Sequence, residues 1–272
     1  MEAPIVTLTT DWGDKDFFAA KVKGRLYSAV AGIRIVDLSH HQAWGDLPNA
    51  VGVVRYGCSE FPKGTIHIID VSIDISVWEK PSVPVPVLAR YAGSYYLSTD
   101  RRILEQSFDE PCDEIVELPL PDSPTPCTFL AYTLFCDAVA KLIEGRPLSD
   151  IGVACEPLRR RGCLVAQQDG DTLVAVVSSI DGYGNATLNV GYDDFMAFAA
   201  GRRFHVELEW SKGNRERYEV VTGISHHYND VQKGSLLLTQ SITGMLQLAI
   251  NQGSVAQLIG MRYNSPCRFV FK

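Results

Sequence analysis

The sequence predicts an α/β fold: an N-terminal α/β domain with a mostly parallel sheet between helices, followed by a small C-terminal β-barrel domain. Three observations carry this. Continuous apolar runs alternate with helix-like segments through the first half, the pattern of a parallel sheet covered on both faces. Acidic residues close several of those runs, where open α/β sheets place their ligand crevice. Past about Leu158 the texture changes to short β-favouring stretches divided by Gly, Asn and Asp, which suits a small antiparallel barrel.

Taken in order, Ile5–Leu8 is a short apolar strand, and the polar loop Thr9–Asp16 leads into a helix from Phe17 to about Ala31. Ile33–Leu38 reads as a second buried strand, Leu47–Cys58 as a second helix, and Ile66–Ile69 as a third strand ending at Asp70. Val87–Tyr91 and Ser94–Leu97 continue the sheet across the turn signal Ala92-Gly93, and Pro121–Pro126 form a proline-rich lead-in. Phe129, Tyr132, Phe135, Cys136, Val139, Leu142 and Ile143 recur at helical spacing, so a long amphipathic helix is expected over Phe129–Glu144. The barrel strands are expected at Cys163–Ala166, Leu173–Ser179, Phe204–Trp210, Tyr218–Val221, Leu236–Thr239, Met245–Ile250 and Arg268–Phe271. The boundary falls near residues 155–162, which divides the chain into domains 1–158 and 159–272.

Composition narrows the function classes. With a net charge of −7 and a pI near 5.4, the chain has no basic surplus to neutralise phosphates, which argues against nucleic acid as a partner. The run Arg159-Arg160-Arg161 reads as a solvated surface segment. No stretch approaches the ~18 apolar residues of a membrane span. No basic region and apolar core precede Ile5, so no secretory signal is expected and the cytoplasm is the expected compartment. The seven cysteines lack paired CxxC spacing and read as reduced thiols rather than a disulfide frame or zinc site. His40-His41 and His226-His227 are adjacent pairs that on a strand would point to opposite faces, so no metal is expected. No GxGxxG follows the first strand, which removes a dinucleotide site of that type.

Four segments are specific. They are Ile5-Val6-Thr7-Leu8-Thr9-Thr10-Asp11-Trp12-Gly13-Asp14-Lys15-Asp16 with Lys23-Gly24; Ile35-Val36-Asp37-Leu38-Ser39-His40 with Trp44-Gly45-Asp46 and Phe61-Pro62-Lys63-Gly64-Thr65-Ile66-His67; Ile180-Asp181-Gly182-Tyr183-Gly184-Asn185 with Asn189; and Gly244–Ser254. Together and in order they resemble the S-adenosylmethionine hydroxide adenosyltransferases, relatives of the fluorinase and chlorinase that use the same substrate. The first matches the family's T-D-F-G-x-x-D opening, with Trp12 in the Phe place; the third is close to I-D-x-F-G-N…N-I. The resemblance implies a homotrimer, each ligand lying between the N-terminal domain of one subunit and the C-terminal domain of the next. It implies S-adenosylmethionine as substrate rather than a resident cofactor. A nucleophile attacks C5′ and methionine leaves; with water or hydroxide the other product is adenosine.

On the resemblance, Asp11 matches the ribose-binding Asp, and a carboxylate can accept from both vicinal hydroxyls in charge-assisted bonds. Asp16 matches a residue near the methionine amino group, although a helix N-cap is an equal reading. Asp46 belongs to a segment near the sugar; Trp44 stands one place before the usual aromatic, where this chain has Gly45. Asp181, Tyr183 and Asn185 form the barrel's contribution, with an amide for the purine edge and an aromatic face, and the same residues also make good turn chemistry. Asn251 falls in the second purine loop or caps a turn.

The catalytic set departs from the family. Water-using members carry an Asp-Arg-His set; here Asp70 is kept, no Arg occurs in the following loop (its place falls near Val77), and Leu130 stands where the His belongs. Asp74, His67, Arg101 and Arg102 are the available replacements. Three readings stay open: a hydrolase with Asp70 as base, a protein that binds the adenosyl ligand without cleaving it, and displacement by a halide or other nucleophile. Asp70 is an effective base near neutrality only if burial raises its pKa.

Overall fold

The computed structural model describes residues 3–43, 45–72, 85–120, 129–159, 165–209, 215–218 and 221–272. The chain forms two compact units, Met1–Arg161 and Gly162–Lys272.

In the first unit β1 (Ile5–Thr10), β2 (Arg34–Ser39), β3 (Ile66–Asp70), β4 (Val87–Tyr91), β5 (Ser94–Ser98), β6 (Glu114–Glu117) and β7 (Val153–Ala154) make one sheet, ordered β2-β1-β3-β5-β4-β6-β7. It is parallel across β2-β1-β3-β5 and antiparallel beyond, where β4 and β5 form a hairpin. Ala92 and Gly93 both take positive φ there (50° and 84°), the geometry of a tight two-residue hairpin turn. Helices α1 (Phe18–Ala29), α2 (Leu47–Gly52), α3 (Arg101–Ser107) and α4 (Cys136–Ile143) cover both faces. Val22 and Leu26 of α1 and Val139 of α4 pack with Val6, Leu8, Ile66 and Ile68 on one face. Ala50 of α2 and Ile103 and Leu104 of α3 pack with Ile69, Val87 and Ala89 on the other. β3 is thus buried on both sides, which its unbroken apolar run requires.

Two expectations need correcting. The second strand was expected to be buried; β2 is instead the edge strand, with Arg34, Val36 and Asp37 exposed. Its local sequence is that of an inner strand, and only the sheet order distinguishes the two. The helix expected over Phe129–Glu144 opens as a π-helical turn, Ala131–Phe135, before α4, and α2 likewise runs into a π-helical turn, Val53–Gly57, and a 3₁₀ turn, Cys58–Glu60. Pro121–Pro126 lie outside the described residues.

The second unit is a curled nine-stranded sheet ordered β12-β11-β16-β9-β10-β15-β14-β13, with β8 on β9. Its strands are β8 (Gln167–Asp169), β9 (Thr172–Ile180), β10 (Ala186–Gly191), β11 (Phe204–Glu209), β12 (Arg215–Tyr218), β13 (Ile224–Ser225), β14 (Leu236–Gln240), β15 (Met245–Ile250) and β16 (Pro266–Phe271). Neighbours run antiparallel except β13 and β14. Two helices, α5 (Tyr192–Ala199) and α6 (Val255–Leu258), interrupt the run of strands that the sequence predicts. Phe195 of α5 fills the curl, edge-on to Phe204 and Phe269 at 5.3 and 4.8 Å. Among the described residues, Cys58, Cys136 and Cys267 are buried free thiols, and burial pushes Cys58 and Cys136 up to about 12. Cys127 and Cys163 lie outside the described residues.

Candidate active site

The parallel half of the sheet ends in three loops that the backbone ties together. Gly13 N–H donates to His40 O at 2.7 Å and Gln42 N–H to Thr10 O at 3.2 Å, joining the loops after β1 and β2. Asp11 Oδ2 accepts from Ser72 N–H at 2.9 Å, and Gly45 N–H donates to Ser72 O at 2.9 Å, so the loop after β3 joins both. Asp11, Asp70 and the Gly45-Asp46 turn are therefore neighbours at the carboxyl end of the sheet. Asp11 does not cap the following helix: α1 begins at Phe18, with Phe17 at its N-cap position and no side-chain capping bond. That also removes the capping role considered for Asp16, which is exposed in the segment before the helix. Asp46 is the N-cap of α2, accepting from Asn49 N–H at 3.2 Å. Trp44, Asp74 and Val77 lie outside the described residues.

Asp70 is the most perturbed acid of this group. Burial and the facing Asp11 carboxylate raise its pKa from 3.8 to about 7, while hydrogen bonds from the Trp12 indole and the Thr99 side chain act the other way. Trp12 Nε1–H donates to Asp70 Oδ2 at 3.1 Å. The indole stacks on His40 (centroids 5.8 Å, 19° between planes) and meets Phe129 edge-on at 5.1 Å. Leu130, next to Phe129, is half-buried at the head of the π-helical turn. In the sequence Trp12 stands out only as part of the first motif. The signal that could have singled it out is the exchange of Phe for an aromatic with an N–H.

His67, Arg101 and Arg102, the described candidates to replace the family's Arg and His, are committed elsewhere. His67 is fully buried three residues before Asp70, its Nδ1 2.8 Å from Thr7 Oγ1 and its ring stacked on Tyr96 at 4.7 Å. Its Nε2 is buried with no hydrogen-bond partner among the described residues, and burial lowers its pKa from 6.5 to about 4. Arg101 donates to the carbonyls of Glu156 and Pro157 at 2.9 and 3.0 Å, and Arg102 pairs with the buried Asp100 at 2.6 Å. The histidine pairs serve the fold. His40 Nδ1 lies 2.7 Å from Thr10 Oγ1, and the backbone N–H groups of His226 and His227 donate to Asp230 Oδ2. Among the described residues no group of His, Cys, Asp and Glu is arranged to hold a metal ion.

In the second unit the remaining candidates converge on two adjacent turns. Asp181 ends the β9 hairpin arm: its Oδ1 accepts from the Tyr183 and Asn185 N–H groups, both at 2.9 Å, and its Oδ2 from Asn185 Nδ2 at 3.0 Å. Gln247 Nε2 also donates to Asp181 Oδ2, at 3.3 Å, and its Oε1 accepts from Tyr228 OH at 3.1 Å. Gln247 was not singled out from sequence, since inside a strand it carries no motif of its own. Gly184 has φ +80°, and its carbonyl accepts from Ala256 N–H at 3.0 Å, pinning this turn against the segment that contains Asn251. Asn251 is buried and donates through Nδ2 to Val231 O at 2.8 Å. Asn189 accepts from Val176 N–H at 2.7 Å, a bond between strands. Tyr183, by contrast, is 84% exposed, its ring free to take a planar group.

Comparison with known proteins gives the family. Residues 6–152 match the SAM hydroxide adenosyltransferase N-terminal domain and residues 175–268 the C-terminal domain of the same family. A protein of Salinispora tropica named (R)-S-adenosyl-L-methionine hydrolase is 26% identical over 266 residues, covering 95% of this chain and 94% of that one. One of the same name from Thermus thermophilus is 23% identical over 281 residues, covering 97% and 99%. The crystal structure of an uncharacterised conserved protein from Thermotoga maritima superposes with a TM-score of 0.77 at 18% identity, covering 98% of this chain and 99% of that one. A conserved hypothetical protein from Thermus thermophilus superposes with a TM-score of 0.69 at 22% identity, covering 98% and 100%. Both halves of the chain match in order, and it belongs to the SAM hydroxide adenosyltransferase family.

Proposed function

We propose that the protein hydrolyses S-adenosylmethionine to adenosine and L-methionine, with Asp70 as the general base. The observation that carries this is Asp70, half-buried at the end of β3 and held near a pKa of 7 beside Asp11. A base is most useful when its pKa lies close to the working pH. The water oxygen bonds to C5′ as the C5′–S bond breaks; its electron pair goes to sulfur and methionine departs as a neutral thioether. The water proton passes to the Asp70 carboxylate. Asp11 receives the ribose hydroxyls, and Asp46 and Asp16 belong to the sugar and methionine sides. Tyr183 stacks on the purine, and Asn185 and Asn251 offer it amides. Asp181 holds that turn in shape, since four donors from the chain already use its carboxylate. S-adenosylmethionine is a substrate here, not a resident cofactor. The proposed assembly is a cytoplasmic homotrimer with the ribose and purine sides supplied by different subunits, and sedimentation equilibrium reads the mass directly.

Incubation of the purified protein with S-adenosylmethionine, followed by chromatography, is expected to give adenosine and methionine in equal amounts. No adenosine above the uncatalysed background removes the hydrolase reading. Leu130, in place of the family's His, favours the second reading, a protein that binds without turnover; calorimetric binding with no product supports it. Asp11→Ala is expected to weaken binding by about 1.5–3 kcal/mol, the magnitude of lost hydrogen bonds to a charged group. Asp11→Ala with wild-type affinity in calorimetry excludes Asp11 as the ribose residue.

A further inference from the structure

We propose that Trp12 is a positioning residue for Asp70, taking over the orienting work left undone by the missing Arg and His; this rests on the hydrolase reading. A Phe in this place, as in the family opening, has no donor. Trp12 adds one N–H, and that N–H is directed at one oxygen of the carboxylate, Asp70 Oδ2, at 3.1 Å. The bond fixes the plane of the carboxyl group and leaves Oδ1 as the more basic oxygen, since Oδ2 already shares its lone pair. A buried indole N–H without a partner is unfavourable, so the contact holds both groups.

The indole itself has little freedom. It is held between the stacked His40 ring and the edge-on Phe129. His40 is in turn fixed by Thr10 Oγ1 at 2.7 Å, and its Nε2 approaches Asp37 Oδ1 at 3.1 Å. Asp37 pairs with Lys23. A supported series therefore runs from Thr10 through His40 and Trp12 to Asp70, joining the ends of three strands. The groups facing Asp70 are Asp11, which raises its pKa, and Trp12 and Thr99, which lower it. Trp12 is thus one of the few contacts that favour the ionised, basic form of a carboxylate that burial works to neutralise.

Trp12→Phe keeps the ring packing and removes the N–H. In the whole protein it is expected to lower kcat for adenosine formation about tenfold, with KM and calorimetric affinity within twofold of wild type. The acid limb of the kcat profile is expected to move to higher pH, because a donor to the charged form has gone. A purely structural role for Trp12 does not move that limb. A second measurement does not depend on the variant folding. Of the four tryptophans, labelled with 5-fluorotryptophan, one is expected to show a ¹⁹F resonance that titrates near pH 7 and stops titrating in Asp70→Asn. Unchanged kcat and pH limb in a folded Trp12→Phe, or no resonance that follows Asp70, overturns the positioning role while leaving the hydrolase reading intact. A wild-type protein that forms no adenosine overturns the hydrolase reading and takes the role of Trp12 with it.

Discussion

Asp70→Asn is expected to slow adenosine formation by about 10²–10⁴-fold and, at the same time, to make the protein more stable above neutral pH. The two effects share one cause. Burial and Asp11 raise the Asp70 pKa from 3.8 to about 7. Between those values the folded chain holds a proton that the unfolded chain has released, so stability falls as pH rises through the window, and the full deficit persists above it. A displacement of this size sets a ceiling of ~4 kcal/mol, and the partial exposure of the carboxyl brings the expected gain on removing the charge to about 1–2 kcal/mol. That is roughly 2–4 °C of melting temperature per kcal/mol. The Asn amide keeps an oxygen for the Trp12 N–H, so the packing survives.

His67 makes the test sharper. Its pKa falls from 6.5 to about 4, so between these values the unfolded chain binds a proton there that the folded chain does not. Over nearly the same range Asp70 does the reverse. Folding transfers one proton, in effect, from His67 to Asp70, and the two contributions to the pH slope oppose each other. Removing Asp70 is expected to expose the histidine: Asp70→Asn gains stability at pH 8 but loses it steadily from pH 6.5 down to about 4, where the wild type stays nearly level. Thermal melts at pH 5, 6.5 and 8 measure this. A variant no more stable than wild type at pH 8 means the carboxylate is not desolvated, and undiminished turnover means it is not the base.

What could be read from the chain followed the range of the interactions involved. β1 and β3 are legible because unbroken apolar runs report burial on both faces, and the shared sheet end of Asp11 and Asp70 is legible because each closes one of those runs. The edge position of β2 is not legible, since Ile35-Val36-Asp37-Leu38 differs little from an inner strand and only its pairing to β1 alone exposes it. The π-helical turn before α4 escapes because one extra residue per turn barely disturbs an amphipathic pattern. α5 was hidden among strands, although Asp193 and Asp194 in its first turn and the left-handed Ala200 before Gly201 are helix end signals. The Trp12–Asp70 and Gln247–Asp181 bonds join residues separated by 58 and 66 positions, and no local pattern announces a contact of that range.

The packing of Gly184 against Ser254 gives the other large expected effect. Gly184→Ala is expected to destabilise this unit by about 2–4 kcal/mol and to weaken adenosyl-ligand binding at least tenfold. A Cβ on Gly184 would stand 1.9 Å from Ser254 Oγ and 2.7 Å from Ser254 Cβ, and the residue also has φ +80°. Ser254 cannot simply rotate away, because its hydroxyl caps α6 by accepting from Gln257 N–H at 3.1 Å. The least costly escape is to part the two turns, breaking the Ala256 N–H bond to Gly184 O and moving Tyr183 and Asn185 away from Asn251. Adding Ser254→Gly separates the causes: it removes the clash, retains a tolerable cap, and leaves only the backbone strain, about 1 kcal/mol. The double variant is therefore expected to recover most of the stability and binding lost in Gly184→Ala, with a coupling energy above the ~0.5 kcal/mol typical of independent sites. If Gly184→Ala melts and binds like the wild type, the turns are not in contact and cannot together form the purine side of the site. If the stability returns in the double variant but the affinity does not, Ser254 itself contributes to the ligand contact.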